Sequence, residues 1–140
     1  MKPKYWNKGK IYLANKDKVL KKIINNFPNE HLNLNSNYYH ALINSIIGQQ
    51  ISVSAANSVK YNFFKLKRNI TPRSVINIKK SNLKKCGLSR QKINYIINIS
   101  YFFIKNKNFI NNIKDFDENT IREKLISIKG IQNVTFLIDI

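Results

Sequence analysis

Between Tyr39 and Phe63 the apolar residues fall at helical spacing on both sides of a short polar break, and that break limits what the chain can become. Tyr39, Leu42, Ile43, Ile46 and Ile47 line one helical face. Ala55, Ala56, Val59 and Phe63 continue the pattern beyond the break, which reads Gly48-Gln49-Gln50-Ile51-Ser52. Gly48 is suited to end the first helix in a left-handed conformation at little steric cost. Ser52 is suited to cap the second, its hydroxyl accepting a backbone N–H. Gln49 and Gln50 then stand on a tight corner between two helices. On spacing alone they need do no more than close a helix end.

The rest of the chain reads as helix after helix, with no strand alternation. Val19, Leu20, Ile23, Ile24 and Phe27 form a first apolar stripe, with Asp17 near its start and Pro28 after its end. A polar connection rich in Asn follows, from 29 to 37. Thr71-Pro72 is a helix start, a capping hydroxyl followed by proline at the first helical position. Ser81 is placed to cap a short helix containing Leu83, with Gly87 closing it. Ser89 opens the longest helix, whose expected face is Ile93, Ile96, Ile97, Tyr101 and Ile104, broadened by Phe102 and Phe103. Asp115 or Asp117 caps the last full helix, which carries Ile121, Leu125 and Ile128. Asn is frequent inside these helices despite its modest propensity, so packing rather than local preference must hold them.

Charge narrows the partners. Lys and Arg number 25 against 7 Asp and Glu, a formal net charge of +18. Such a field attracts nucleic acid or an anionic membrane surface. Lys, Asn and Ile have AT-rich codons, and base composition accounts for part of this excess; it does not account for the scarcity of Asp and Glu. No apolar run reaches membrane-spanning length, and the basic N-terminus lacks the apolar core of a secretory signal. With a single cysteine, Cys86, an internal disulfide and an all-cysteine metal site are excluded. A long uncharged amide on a rigid corner, in a chain that attracts polyanions, is able to push into a base stack and hydrogen-bond an orphaned base.

A second motif lies near the C-terminus, Leu125-Ile126-Ser127-Ile128-Lys129-Gly130-Ile131-Gln132-Asn133-Val134-Thr135. A helix runs into a turn at Lys129-Gly130-Ile131 and a second helix begins. Such a hairpin aims backbone N–H groups at one spot, which suits a phosphate, and Lys129 adds a point charge. The contact would carry no sequence readout. One Gly-Ile turn between helices is common for purely structural reasons. The order of motifs says more: the Gln-Gln corner, then Cys86-Gly87-Leu88-Ser89-Arg90-Gln91-Lys92, then Ile128-Lys129-Gly130-Ile131, with Trp6, Tyr12-Leu13 and Asp17 ahead of them. In this order and spacing the chain resembles the helix-hairpin-helix DNA glycosylases, and within them the DNA-3-methyladenine glycosylase II type, over nearly its whole length up to Ile131.

The resemblance implies an all-α fold, a compact array of short helices with a helix-hairpin-helix near the C-terminus that is incomplete at its end. It implies one helical domain over residues 1–140, cut within the second helix of the hairpin. It places the DNA wedge, which fills the gap left by a flipped nucleotide, on Gln50 with Gln49 beside it. It places the phosphate-binding hairpin on Lys129, Gly130, Ile131, Gln132 and Thr135. The implied activity is monofunctional hydrolysis of the N-glycosidic bond of alkylated purines such as 3-methyladenine, in base-excision repair. A flipped cationic base stacks on aromatic faces, and an ionised aspartate stabilises the oxocarbenium-like sugar. No cofactor, metal or iron–sulfur cluster is expected. The partner is double-stranded DNA carrying alkylated bases, not a membrane. The protein is expected to be a monomer, cytoplasmic and nucleoid-associated in a bacterium, or organellar, and not secreted.

The match fails after Ile131. Gln132 stands where the family has a second glycine, Val134 where the alkyl-adenine branch has tryptophan, and Phe136 where it has alanine. The family's catalytic aspartate would lie beyond Ile140; Asp139 is too close to the hairpin for the role. The expectation is a truncated or frameshifted glycosylase whose own catalytic activity is in doubt, with apolar faces around Leu125, Ile128 and Ile131 partly uncovered. His31, His40, Ser52, Ser54 and Cys86 lack partners for a separate chemistry. The alternatives are a non-catalytic helical module that recognises distorted duplex, and a basic RNA- or ribosome-associated protein.

Overall fold

Where each helix begins and ends is set by a few polar side chains and one apolar core. The structure, a computed structural model, describes residues 2–31 and 37–131. Every regular element among them is helical. They divide into two compact units, one before Asn37 and one from Asn37 onward.

The first unit is a helix pair, α1 (Trp6–Lys16) and α2 (Lys18–Asn26). Asp17 alone joins them. Its N–H bonds the Leu13 carbonyl at the end of α1, and its carboxylate accepts from the N–H groups of Val19 and Leu20 at 2.7 and 2.9 Å. The segment after α2 is tied back to α1 by Trp6, whose indole donates to the Glu30 carbonyl, and by Lys10, whose ammonium donates to the Pro28 carbonyl. The expected stripe on α2 is not a buried face: Val19, Ile23 and Phe27 are exposed. Two short helices bury only the line along which they touch, and an apolar stripe needs a third element to enclose it.

The second unit contains α3 (Tyr38–Gly48), α4 (Val53–Lys65), α5 (Pro72–Ile76), α6 (Lys80–Lys85), α7 (Arg90–Lys105), α8 (Lys107–Asn111), a 3₁₀ turn (Ile113–Asp115) and α9 (Glu118–Ile126). The capping residues read from sequence hold at four starts. Ser52 accepts from Ala55 N–H, Ser89 from Lys92 N–H and Asp117 from Thr120 N–H, while Thr71 and Ser74 form a reciprocal capping box. Ser81 does not cap α6. That helix starts two residues earlier, with Lys79 at the cap position, and Leu83 within it is wholly buried. Gly87, at φ 95°, closes α6 as expected.

The core is built on α3 against α7, and all five apolar residues expected on α3 are buried. Each fully buried Ile contributes about 2 kcal/mol. The buried face of α7 differs in part from expectation: Ile93, Ile96 and Phe103 point inward as expected, Ile99 and Ser100 join them, Ile97 and Ile104 are half-buried, and Tyr101 points outward. The residue that misleads is Ser100. A serine looks like a break in an apolar stripe, yet its hydroxyl donates to the Ile96 carbonyl and accepts from the Tyr39 hydroxyl, each at 2.7 Å. With both roles filled, the polar pair is buried without an orphan. Leu125, Ile128 and Ile131 are also buried, so the expected uncovered faces are not found there.

Burial pushes the Tyr39 phenol up to about 12 from an ordinary 10.0, against the smaller lowering from Ser100. The folded state holds this proton more tightly than the unfolded chain. Its stabilising effect is therefore complete below pH 10 and lost as pH climbs toward 12. Denaturant titrations should show the loss of stability over that window to be smaller in Tyr39→Phe than in the parent. At neutral pH Ser100→Ala, which strands the buried phenol, should cost about 1–3 kcal/mol, and Tyr39→Phe about 1 kcal/mol. Equal costs would mean that the proton chain does not run in this direction.

Candidate nucleic-acid interface

The corner after α3 takes a different shape from the one its glycine suggests. Gly48 stays helical as the last residue of α3. Gln49 is extended, and Gln50 takes the left-handed conformation at φ 55°. A non-glycine residue there carries about 1–3 kcal/mol of strain and persists only when its surroundings hold it.

Lys92 does much of that holding. Its ammonium donates to the Ile47 carbonyl at 2.8 Å and the Gln49 carbonyl at 2.7 Å. These carbonyls lie at the end of α3, where helical partners run out and the helix dipole is negative, so a cation fits on both counts. Partial burial lowers the pKa of this ammonium below the ordinary lysine value. Sequence reasoning quoted Lys92 and gave it no role. No linear signal singles it out, since Arg90 sits in the same first turn of α7; only the fold brings Lys92 to the end of α3.

The C-terminal turn meets the same stretch of α7. Gly130 adopts φ 110°, and a Cβ there would lie 2.2 Å from Cγ of Tyr95. The turn therefore lies directly on the Tyr95 ring, and glycine is required both for conformation and for space. The Tyr95 hydroxyl accepts from the Gln91 side-chain amide, and Asn98 donates to the Lys129 carbonyl at 3.4 Å. Ile131 is an apolar anchor: its side chain is buried and its N–H is spent on the Ile128 carbonyl at 3.0 Å. Lys129 is exposed. Gln132 and Thr135, the other two residues expected in the hairpin site, and Asp139 lie outside the described residues.

These pieces enclose one hollow of about 410 Å³, lined by Gln49, Gln50, Ser89, Gln91, Lys92, Tyr95 and Gly130. The two motifs read separately from sequence thus share a wall, and α7 is the element between them. No carboxylate lines this hollow among the described residues. No group of His, Cys, Asp or Glu among them is arranged to hold a metal. His40 donates from Nε2 to the Ile70 carbonyl, and Cys86 is a buried thiol pushed up in pKa by burial. No helix of the described residues is long and apolar enough to cross a membrane.

The family model for HhH-GPD superfamily base excision DNA repair proteins matches residues 43–139. The chain belongs to that superfamily. The HhH-GPD match opens inside α3 and takes in the corner, α7 and the Gly130 turn; it leaves out the α1–α2 pair. A DNA-3-methyladenine glycosylase of Saccharomyces cerevisiae is 31% identical over 104 residues, which is 67% of this chain and 35% of that protein. The solved structure of Schizosaccharomyces pombe 3-methyladenine DNA glycosylase (Mag1) in complex with abasic DNA superposes with a TM-score of 0.79 at 25% identity. That match covers 89% of this chain and 64% of the other. A DNA-3-methyladenine glycosidase from Bacillus halodurans gives a TM-score of 0.68 at 26% identity, over 74% of this chain and 48% of that one. The chain thus spans about a third of the yeast relative's length, and less than two thirds of either solved protein.

Two substitutions probe the geometry of the interface. Gly130→Ala should lower stability by at least about 2 kcal/mol, from the left-handed φ and the clash with Tyr95 together. Lys92→Met removes the cation and leaves two carbonyls at the end of α3 unpaired, for about 1–3 kcal/mol. Urea denaturation reads both, and parent-like stability in either variant would mean that the contact is not made.

Proposed function

We propose that this protein acts in base-excision repair on duplex DNA carrying alkylated purines such as 3-methyladenine, as a monofunctional glycosylase working as a monomer inside the cell, on nucleoid or organellar DNA. Gln50 is the wedge that occupies the gap left by a flipped nucleotide, with Gln49 at its base. The turn at Lys129 and Gly130 holds a backbone phosphate, with Ile131 as its apolar anchor and Gln132 and Thr135 completing the site.

The observation that carries this reading is the common hollow: a strained, exposed glutamine and a glycine turn beside a lysine face the same stretch of α7. Flipping a nucleotide costs a few kcal/mol of unstacking. A side chain that fills the gap recovers part of it only if the side chain is already aimed. The Lys92 bonds and the left-handed backbone supply that aim. Hydrolysis of the glycosidic bond also needs an ionised carboxylate beside the sugar, and among the described residues none lines the hollow. That observation favours a second reading, a non-catalytic module that recognises distorted duplex.

Two assays on the full chain separate the readings. Fluorescence anisotropy should show tighter binding to a duplex with a central abasic-site analogue than to its undamaged counterpart. Gln50→Ala should reduce that preference by about tenfold, or about 1.4 kcal/mol, and leave binding to undamaged duplex within twofold. Chromatography of methylated DNA incubated with the protein should show free 3-methyladenine. Preference without base release selects the non-catalytic reading. Absence of both removes DNA damage from consideration.

A further inference from the structure

Three hollows run into one another along α7. The hollow at the corner shares Gln91 and Tyr95 with a larger one of about 740 Å³, which takes in Arg90, Asn94, Asn98, Lys80 and Lys129. That one shares Lys80, Arg90 and Asn94 with a third, of about 320 Å³, which reaches Ser81 and Lys84 on α6. Five cations line the run and no Asp or Glu does. Lys92 is spent on the end of α3. Lys80, Lys84, Arg90 and Lys129 are exposed, and none of the four makes an ion pair among the described residues. Asn94 and Asn98 lie one turn apart on the same face of α7, with Gln91 before them.

The shape and the charge point to one kind of ligand. A single anion needs one concave spot, and here the cations are spread along a helix face and onto a second helix. An apolar ligand would find little to cover. We infer that this run is a track for the phosphodiester backbone of duplex DNA, leading from the glutamine corner past the Gly130 turn to α6. Lys129, Arg90 and Lys80 neutralise phosphates along it, and the Asn94 amide donates to a phosphate oxygen between Arg90 and Asn98. The contacts carry no base readout and add affinity uniformly across sequences. The inference extends the proposed function, from which it takes duplex DNA as the partner and the Lys129 turn as one phosphate contact, to the face of α7 and α6 beyond that turn.

Salt dependence tests the track. Binding of the full chain to an undamaged mixed-sequence duplex is measured from 50 to about 300 mM KCl. Each phosphate contact contributes about 0.9 to the slope of log K against log salt. The double variant Lys80→Ala/Arg90→Ala should flatten the slope by about 2. Lys67→Ala/Lys105→Ala removes two exposed cations that line none of the three hollows and should flatten it by less than half as much. Equal effects from the two pairs would mean that bulk charge alone is acting, and no effect from the first pair would mean no contact; either overturns the track. A slope change confined to an RNA duplex of the same sequence would make the partner RNA and overturn it as well. The preference for an abasic analogue should survive in Lys80→Ala/Arg90→Ala. A failure of the wedge assignment and a failure of the track are therefore read separately.

Discussion

Two hydrogen bonds from the Lys92 ammonium fasten the end of α3 to the start of α7, and the geometry of the interface follows from them. The end of a helix is a set of carbonyls without partners. Here a side chain from a different helix satisfies two of them, one on each side of Gly48. The residue that follows is thereby committed to a left-handed turn and its side chain to solvent. Because Ser89 caps α7 three residues before Lys92, the cation itself starts from a fixed backbone. The corner is rigid for reasons that lie outside its own sequence.

Local chemistry explains which parts of this arrangement were readable. Ser52, Thr71-Pro72, Ser89, Asp17 and Asp117 cap helices with atoms from within three residues, so a linear pattern carries the whole argument. The face of α3 was readable because it is apolar throughout. The face of α7 was not, since Ser100 becomes an inward residue only once Tyr39 reaches it from another helix. Gly48 misled for the converse reason. Glycine marks where a left-handed turn is easy, while Lys92 decided where the turn was made. The contact of Gly130 with Tyr95 belongs to tertiary packing and has no linear signature.

The few acids of the chain help to explain its electrostatics. Asp17 and Asp117 serve as helix caps, positions where a carboxylate bonds to backbone N–H groups and faces the positive end of a dipole. Hydrogen bonds from Thr120 hold the Asp117 carboxyl below the usual carboxylate range. Acids so placed offset little of the field elsewhere. The face of α7 between the corner and α6 is left uncompensated.

The Tyr39–Ser100–Ile96 chain has one more consequence. Isoleucine dominates the contact between α3 and α7, and isoleucine against isoleucine is nearly as good one helical turn along, a slide of roughly 5.4 Å. A hydroxyl that must meet another hydroxyl has no such freedom. This buried polar contact therefore sets the axial register of the two helices, and a slipped pairing would leave the Tyr39 hydroxyl orphaned in the core while Ser100 kept only its bond to Ile96. Lys92 reaches the end of α3 only in the true register. A pair of oxygen atoms in the interior thus fixes, from a distance, where the exposed glutamine is held.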